Sequence, residues 1–154
     1  MKYFSLLLMY LVFITTAVAQ TDEKALENNK AYTGAKASLD MYHAIYQLDG
    51  NDPKIIEKAF RNINNVLKDP RLVGKLQLEL ITFSEGTEAV LKGSKYEEDL
   101  KMLVKKGVIV AQCLNSLKAR NISPDQVYDF IAIVPSANGE LVIRHAEGWA
   151  IIKP

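Results

Sequence analysis

The fold is decided by two neighbouring stretches, YHAIYQLDGNDPKIIEKAFRNINNVLKD (Tyr42–Asp69) and LQLELITF (Leu76–Phe83). Strand-forming residues with apolar side chains on both faces extend over Ser38–Leu48, which predicts a strand that is covered on both sides. Asp52-Pro53 then begins a helix, with the aspartate as N-cap and the proline at the first helical position. Asp69-Pro70 ends that helix, and a second strand follows. The unit predicted here is strand, helix, strand.

The same alternation continues to the end of the chain. Beyond Phe83 the sequence predicts, in order, a helix with a Ser94-x-x-Glu97 capping box, a strand at Val108–Cys113, a helical stretch through Arg120, a short helix capped by Ser123-Pro124-Asp125-Gln126, a strand at Phe130–Val134, a helix over about Asn138–Glu147 and a closing edge strand, AIIKP. Strands that alternate with helices throughout predict an α/β fold. We therefore expect a three-layer α/β/α single domain with an open, mostly parallel sheet of about five strands.

The composition fits one soluble globular domain. The 154 residues are 49% hydrophobic and 24% charged. Lys and Arg number 19 against 18 Asp and Glu, so there is no basic excess of the kind that a nucleic-acid partner favours. The chain has 1 cysteine, which excludes an intramolecular disulfide.

The N-terminus has the three-part pattern of a secretory signal peptide. Lys2 is followed by an apolar run from Phe4 to Ile14 and by the small-x-small end Ala17-Val18-Ala19. We expect cleavage between Ala19 and Gln20, hence an exported protein, periplasmic or secreted, with no membrane attachment afterwards. The alternative is an uncleaved anchor, but the apolar run is shorter than the ~20 residues of a spanning helix. Residues 20–36 then form a polar lead-in, and the domain covers residues 37–154.

Cys113 is the candidate reactive residue. It ends a predicted strand directly before a helix, and ligands of open α/β sheets gather at the carboxyl ends of strands. Amide groups at a helix start favour a thiolate, and Lys118 and Arg120 are close enough in sequence to add positive potential. The alternative is that Cys113 is a small apolar filler of the core, which is the commonest environment of a free cysteine.

The other residues capable of chemistry form no motif. His43 and His145 have no metal-ligand neighbours at helical spacing, and HExxH and CxxC are absent, so no metal site is predicted. Either histidine could pair with Cys113 as a nucleophile and base, or each could be a structural, hydrogen-bonded histidine. Ser84–Thr87 follows a strand but lacks a phosphate-binding glycine pattern, and GxSxG is absent. No cofactor and no conventional hydrolase or dehydrogenase activity is predicted.

Four segments together resemble the DsrE/DsrF-like family. They are GVIVAQCLNSLKARNI (Gly107–Ile122), Tyr42–Asp69, LELITFSEGTEAVLKG (Leu78–Gly93) and VPSANGELVIRHAEGWAIIKP (Val134–Pro154). The resemblance implies a three-layer α/β/α domain that assembles into homo-oligomers, commonly trimers or hexamers. It also implies that Cys113 matches the cysteine that carries sulfur as a persulfide in sulfur-relay members and passes it to a partner protein.

Two hypotheses on function follow. In the first, the chain is an exported sulfur-handling or thiol-redox accessory with Cys113 as its reactive residue and a sulfur donor or acceptor as its partner. Its enzymatic role is then at most that of a sulfur-transfer carrier. Candidate ligand-binding residues around the cysteine are His43, Asn115 and Ser116. In the second, the chain is a non-catalytic oligomeric binding or scaffold module, and Cys113 is structural.

Overall fold

The computed structural model describes residues 22–154, and the chain divides into two compact units, Met1–Lys36 and Ala37–Pro154. In the first unit, residues 22–31 form a helix, α1, whose side chains are all exposed. The polar lead-in was expected to be a loose segment, and its helix was not predicted. The predicted signal peptide and its cleavage point lie outside the described residues. Within residues 22–154, the helices are all too short or too polar to cross a membrane.

The second unit alternates strands and helices as the sequence predicts. Its strands are β1 (Tyr42–Leu48), β2 (Leu76–Thr82), β3 (Ile109–Cys113), β4 (Ala132–Val134) and β5 (Ala150–Ile152). Its α-helices are α2 (Pro53–Leu67), α3 (Glu97–Lys105), α4 (Leu114–Ala119) and α5 (Ala137–Ala146). Two 3₁₀ helices lie at Ser84–Val90 and Pro124–Gln126. The longer of these was not predicted.

The strands form one open sheet in the order β4-β3-β2-β1-β5. Every neighbouring pair is parallel. The closing residues pair with β1 at the edge of the sheet, where Ile151 lies opposite Ile45. The predicted edge strand and the predicted parallel five-stranded sheet are therefore confirmed.

One face of the sheet is covered by α2 and α3, and we call it the α2–α3 face. Its core consists of aliphatic and aromatic side chains from the sheet, both helices and the first 3₁₀ helix. Central members are Leu78, Leu80, Phe60, Ile63, Leu100 and Leu103. Burial of these apolar groups is the main source of the stability of such a domain.

The opposite face is covered by α5, and we call it the α5 face. Its buried cluster is smaller and consists of Ile45, Ile81, Ala111, Cys113, Ala137 and Trp149. Helices therefore lie on both sides of the sheet, which confirms the three-layer α/β/α architecture.

Local sequence signals account for some helix ends but not for all. Asp52 accepts a hydrogen bond from the Lys54 amide at 2.9 Å and caps α2 as predicted. The predicted capping box at Ser123 is also present. The box predicted at Ser94 is wrong, because α3 begins after Tyr96. The Ser94 hydroxyl instead donates to the Ala89 carbonyl at 2.7 Å and is used in the preceding turn.

Gly86 lets the first 3₁₀ helix pack closely against the end of β1. A Cβ at this position would lie 2.1 Å from the carbonyl oxygen of Leu48, which is far inside van der Waals contact. The residue after it, Thr87, is buried, and its hydroxyl accepts a hydrogen bond from the Gln112 side chain. A residue without a side chain is thus required beside the carboxyl edge of the sheet.

Candidate functional site

Cys113 lies at the carboxyl edge of the sheet. It is the last residue of β3 and directly precedes α4. Its neighbours at this edge are the ends of β2 and β4, because Thr82 pairs with Gln112 and Val134 pairs with Cys113. Loops that follow three parallel strands therefore meet around the sulfur atom. This is the position at which open α/β sheets bind ligands.

The cysteine forms the floor of a pocket with a volume of about 290 Å³. Only 4% of the residue is exposed. The remaining lining residues are Phe83, Ser84, Asn115, Ser116, Ala119, Ser136, Ala137 and Asn138. The pocket beside the sulfur is thus lined by neutral hydroxyl, amide and apolar groups.

The thiol is held in an environment that favours its ionised form. The Ala137 amide, in the first turn of α5, donates a hydrogen bond to Sγ at 3.2 Å. Burial raises the pKa of Cys113. The Ser116 hydroxyl and the amides of Ala137, Ser116 and Asn115 lower it, and together they outweigh burial, so the pKa lies below its ordinary 9.0. A larger fraction of thiolate, the nucleophilic form, follows at neutral pH.

A buried amide fixes the backbone of the cysteine. The Gln112 side chain donates to the Cys113 carbonyl at 2.9 Å and to the Thr87 hydroxyl at 3.0 Å. Its own carbonyl accepts from the Thr82 hydroxyl at 2.7 Å. Gln112, Thr82 and Thr87 are all fully buried. Because these polar groups satisfy one another away from water, the strand end has little freedom to move.

A second pocket, with a volume of about 370 Å³, adjoins the first. It is lined by Ser84, Glu85, Ser116, Ala119 and Arg120, of which Ser84, Ser116 and Ala119 also line the cysteine pocket. Arg120 donates to the Ser84 carbonyl at 2.7 Å and forms an ion pair with Glu88. Of the two basic residues that the sequence places near Cys113, Arg120 lines the adjoining pocket, whereas Lys118 is exposed and lines neither pocket.

Ser84 holds a backbone conformation that few side chains adopt. Its φ of 50° lies in the left-handed region. The Ser116 hydroxyl accepts from its amide at 2.9 Å, and Arg120 binds its carbonyl. Two contacts from the α4 segment thus keep Ser84 at the boundary between the two pockets.

The far end of α5 is anchored to the sheet by a buried ion pair. Glu79 of β2 is 1% exposed and accepts from the Arg144 guanidinium at 2.9 Å. The guanidinium also lies 4.1 Å from the centre of the Trp149 ring. Burial raises the pKa of Glu79, and the charge of Arg144 opposes that rise. The helix whose first turn contacts the cysteine is therefore fixed at both ends.

The structure brings Asn115 and Ser116 to Cys113 but does not bring either histidine there. His43 lies near the start of β1, where the centre of its ring is 5.1 Å from that of Trp149 and the two rings are tilted by 39°. It is five residues before the carboxyl edge of its strand, or roughly 16 Å at the rise of a β-strand. His145 is exposed near the end of α5, about 12 Å from the first turn at the rise of an α-helix. The Cys–His pair left open by the sequence is not formed, and His43 is not a lining residue.

Sequence reasoning missed Ser84, Ser136 and the Ala137 amide. A positional signal for them exists, since Ser84 follows β2 and Ser136 follows β4 by two residues, and the loops after parallel strands converge. Neither serine belongs to a recognised motif, so only the topology identifies them. Within residues 22–154, no group of three or more His, Cys, Asp or Glu side chains could hold a metal ion.

The protein is a three-layer α/β domain with a single cysteine at the carboxyl edge of a parallel sheet. The first turn of α5 donates a hydrogen bond to that cysteine. The chain belongs to the DsrE/DsrF-like family, which matches residues 9–154. The predicted resemblance is therefore confirmed. Membership of this family associates the chain with a sulfur-related function. No curated protein matches the chain in sequence.

Solved structures support the same assignment. The protein of unknown function MTH1491 from Methanobacterium thermoautotrophicum is 27% identical with a TM-score of 0.69, over 73% of this chain and 99% of that one. The ychN protein from E. coli is 16% identical with a TM-score of 0.60, over 75% and 100% of the two chains. BT1422 from Bacteroides thetaiotaomicron is 10% identical with a TM-score of 0.56, over 79% and 100%. The last two similarities show a shared fold.

Proposed function

We propose that this chain is an exported sulfur-handling protein that carries sulfane sulfur as a persulfide on Cys113. The observation that carries the proposal is the environment of the thiol. The pKa of Cys113 is lowered, its Sγ accepts a hydrogen bond from the Ala137 amide, and the residue lines a pocket. A carrier needs a thiolate to accept sulfur and space to hold it. Both requirements meet at this one residue.

Loading is a displacement at sulfur that needs no oxidant. The Cys113 thiolate attacks the outer sulfur of a donor R–S–SH, the Sγ–S bond forms, and the donor S–S bond breaks. The donor leaves as the thiolate R–S⁻, and Cys113–S–SH remains. The added sulfur lies about 2.05 Å from Sγ, and the pocket that receives it is lined by the hydroxyl groups of Ser84, Ser116 and Ser136. Hydroxyl groups can stabilise the ionised persulfide there.

The outer sulfur of the persulfide must be transferred to a second molecule. The chain has 1 cysteine, so a persulfide on Cys113 cannot be resolved by a disulfide within the same chain. A partner thiol, on a protein or a small molecule, is therefore part of the proposal. Its attack on the outer sulfur regenerates the Cys113 thiolate.

Export and self-assembly complete the proposal. The sequence of Met1–Ala19 supports export, and the family resemblance supports a trimer or hexamer. Val142 and Ile143 on α5 are 69% and 55% exposed, which gives that helix an apolar outer surface that a second copy can cover. Light scattering coupled to size exclusion measures the assembly directly, and a monomer at all concentrations contradicts this part.

A second candidate is the oligomeric scaffold, in which Cys113 only fills space. The observation that favours it is the burial of the residue, 4% exposed and packed in one cluster with Ile45, Ile81 and Trp149. The scaffold predicts that sulfur donors leave the folded protein unmodified. It also predicts that Cys113→Ser changes the free energy of unfolding and nothing else.

Mass spectrometry separates the two functions. The folded protein is incubated with inorganic polysulfide, and its intact mass is measured beside that of Cys113→Ser. The carrier gains the mass of one sulfur atom at Cys113, which cyanide or a thiol removes, and the variant gains none. An unmodified wild-type chain that stays folded contradicts the carrier and supports the scaffold.

A further inference from the structure

The groove that leads away from Cys113 has a chemistry that an inorganic sulfur donor would not use. It consists of the cysteine pocket and the adjoining pocket, joined through Ser84, Ser116 and Ala119. Their volumes are about 290 and 370 Å³, close to the lower end of the size range of small-molecule sites. An inorganic polysulfide of a few atoms would fill only the part beside the sulfur. The second pocket therefore has room for the organic part of a larger thiol.

The charged residues of the groove lie in its second pocket. The cysteine pocket has neutral lining residues, whereas the second pocket is lined by Glu85 and Arg120. Glu85 is exposed and makes no ion pair with any residue in the described range 22–154. Arg120 donates to the Ser84 carbonyl and to Glu88, and a guanidinium with five N–H groups retains donors for a further carboxylate. The second pocket thus carries one negative and one positive group, and neither lines the pocket that contains the sulfur.

We propose that the groove binds amino-acid thiols, that is, cysteine or a short peptide with an adjacent ammonium and carboxylate, as the molecules that exchange sulfur with Cys113. This inference rests on the proposed persulfide function and names its substrate class. Glu85 binds the ammonium group and Arg120 binds the carboxylate, while the ligand sulfur enters the neutral pocket. The exposed Glu88–Arg120 pair is weak enough to share its guanidinium, because the Glu88 side chain is 44% exposed.

The transfer step is balanced without a redox partner. The thiolate R–S⁻ of the bound amino acid attacks the outer sulfur of Cys113–S–SH. The R–S–S bond forms, the bond between Sγ and the outer sulfur breaks, and Cys113 leaves as the thiolate whose pKa the site lowers. The products are R–S–SH and the Cys113 thiolate. The reverse reaction loads the cysteine from an amino-acid persulfide.

The test compares four acceptor thiols that differ only in their charged groups. Protein loaded with inorganic polysulfide is mixed with cysteine, 3-mercaptopropionate, cysteamine or 2-mercaptoethanol, and loss of the added sulfur is followed by mass spectrometry. We expect Arg120→Gln to slow the two carboxylate-bearing thiols about five-fold, the effect of one partly exposed ion pair, and to leave the other two unchanged. Glu85→Gln should slow the two ammonium-bearing thiols by a similar factor.

The controls separate this inference from the function on which it rests. Lys105→Gln removes an exposed positive charge at the end of α3, near the start of β3, whereas Cys113 is at the other end of that strand. This variant should leave all four rates unchanged. Should Arg120→Gln disturb the fold, Glu85→Gln still tests the groove, because Glu85 is exposed and outside any ion pair of residues 22–154. Equal effects on all four thiols, or none, overturn the inference while persulfide loading stands. Failure of wild-type protein to load at all overturns the proposed function.

Discussion

The two faces of the sheet differ in the size and composition of their buried clusters. The α2–α3 face packs two helices over a broad layer of aliphatic and aromatic side chains. The α5 face packs α5 over a smaller cluster that contains Cys113, and beside it lies the buried Glu79–Arg144 pair. The first arrangement supplies most of the buried apolar surface. The second includes the Ala137 amide, which together with Ser116 and Asn115 of α4 lowers the pKa of Cys113. Substitutions on the two faces should therefore have separable effects.

The largest loss of stability should come from the α2–α3 face. Leu80 is fully buried in the middle of β2, and Leu80→Ala removes apolar contacts and leaves a cavity. We expect the free energy of unfolding to fall by about 2–5 kcal/mol, measured by urea denaturation. The pKa of Cys113 should not change, because Leu80 faces away from it.

Val73→Ala is the control for that substitution. It removes aliphatic carbon from a side chain that is 65% exposed, and we expect a change within about 0.5 kcal/mol. Equal losses in the two variants would contradict the assignment of the main core to the α2–α3 face.

A smaller, pH-dependent loss is expected on the α5 face. Arg144→Met leaves the buried Glu79 carboxylate without its counter-charge. We expect the free energy of unfolding to fall by about 2–3 kcal/mol. The loss is smaller than for a fully enclosed pair because the Arg144 side chain is partly exposed to water. Burial already raises the pKa of Glu79 above 4.5, and loss of Arg144 raises it further. A raised carboxyl pKa gives stability that is fully present below the unfolded value and is lost as pH rises through the folded value.

The loss in Arg144→Met should therefore be small below about pH 4.5 and larger at neutral pH. Urea denaturation of both proteins across this range measures it. Arg61→Met, which removes an exposed arginine of α2, should show no such dependence. A deficit that is equal in acid and at neutral pH would mean that the pair does not stabilise the ionised carboxylate.

The thiol itself should respond to the loss of one hydroxyl. Ser116 is the largest of the groups that lower the pKa of Cys113, so Ser116→Ala should raise that pKa. The pH midpoint of alkylation by iodoacetamide then moves upward. Asn115→Ala is the matched control, since Asn115 acts through its backbone amide, which the variant keeps. A midpoint that moves equally in both variants contradicts the role of the hydroxyl.

The smallest effect is expected at the boundary between the pockets. Ser84 has a φ of 50°, and Ser84→Gly relieves the strain of a side chain in the left-handed region. We expect a gain of up to about 1 kcal/mol in the free energy of unfolding. Glu85→Gly, one residue later and without a positive φ, should instead lose about 0.5–1 kcal/mol. A loss in both variants would show that the Ser84 side chain makes a contact worth more than its strain.

The sequence predicts the layered fold well because the signals for that fold are local. Proline and aspartate mark the start of α2, and apolar periodicity marks its buried side. The Ser94 box fails because a competing carbonyl, that of Ala89, takes the hydroxyl. The helix at residues 22–31 was missed because its side chains are all exposed and leave no buried stripe to detect.

The candidate site was predicted only in part, because its members are distant in sequence. Cys113, Asn115 and Ser116 are adjacent along the chain, so their proximity could be expected. Ala137 reaches the sulfur through the packing of α5 on the sheet, which no local pattern encodes. His43 was included for its chemistry alone, and its place at the opposite end of β1 follows from strand direction.

The central claim is that a buried sulfur is both ionised and reachable while the protein stays folded. The most direct measurement is the rate at which a small alkylating reagent modifies Cys113 in native protein near neutral pH, as a function of reagent concentration. We expect a rate that rises in proportion to concentration and exceeds that of free cysteine at the same pH. A rate that is independent of concentration and equal to the rate of global unfolding would contradict it.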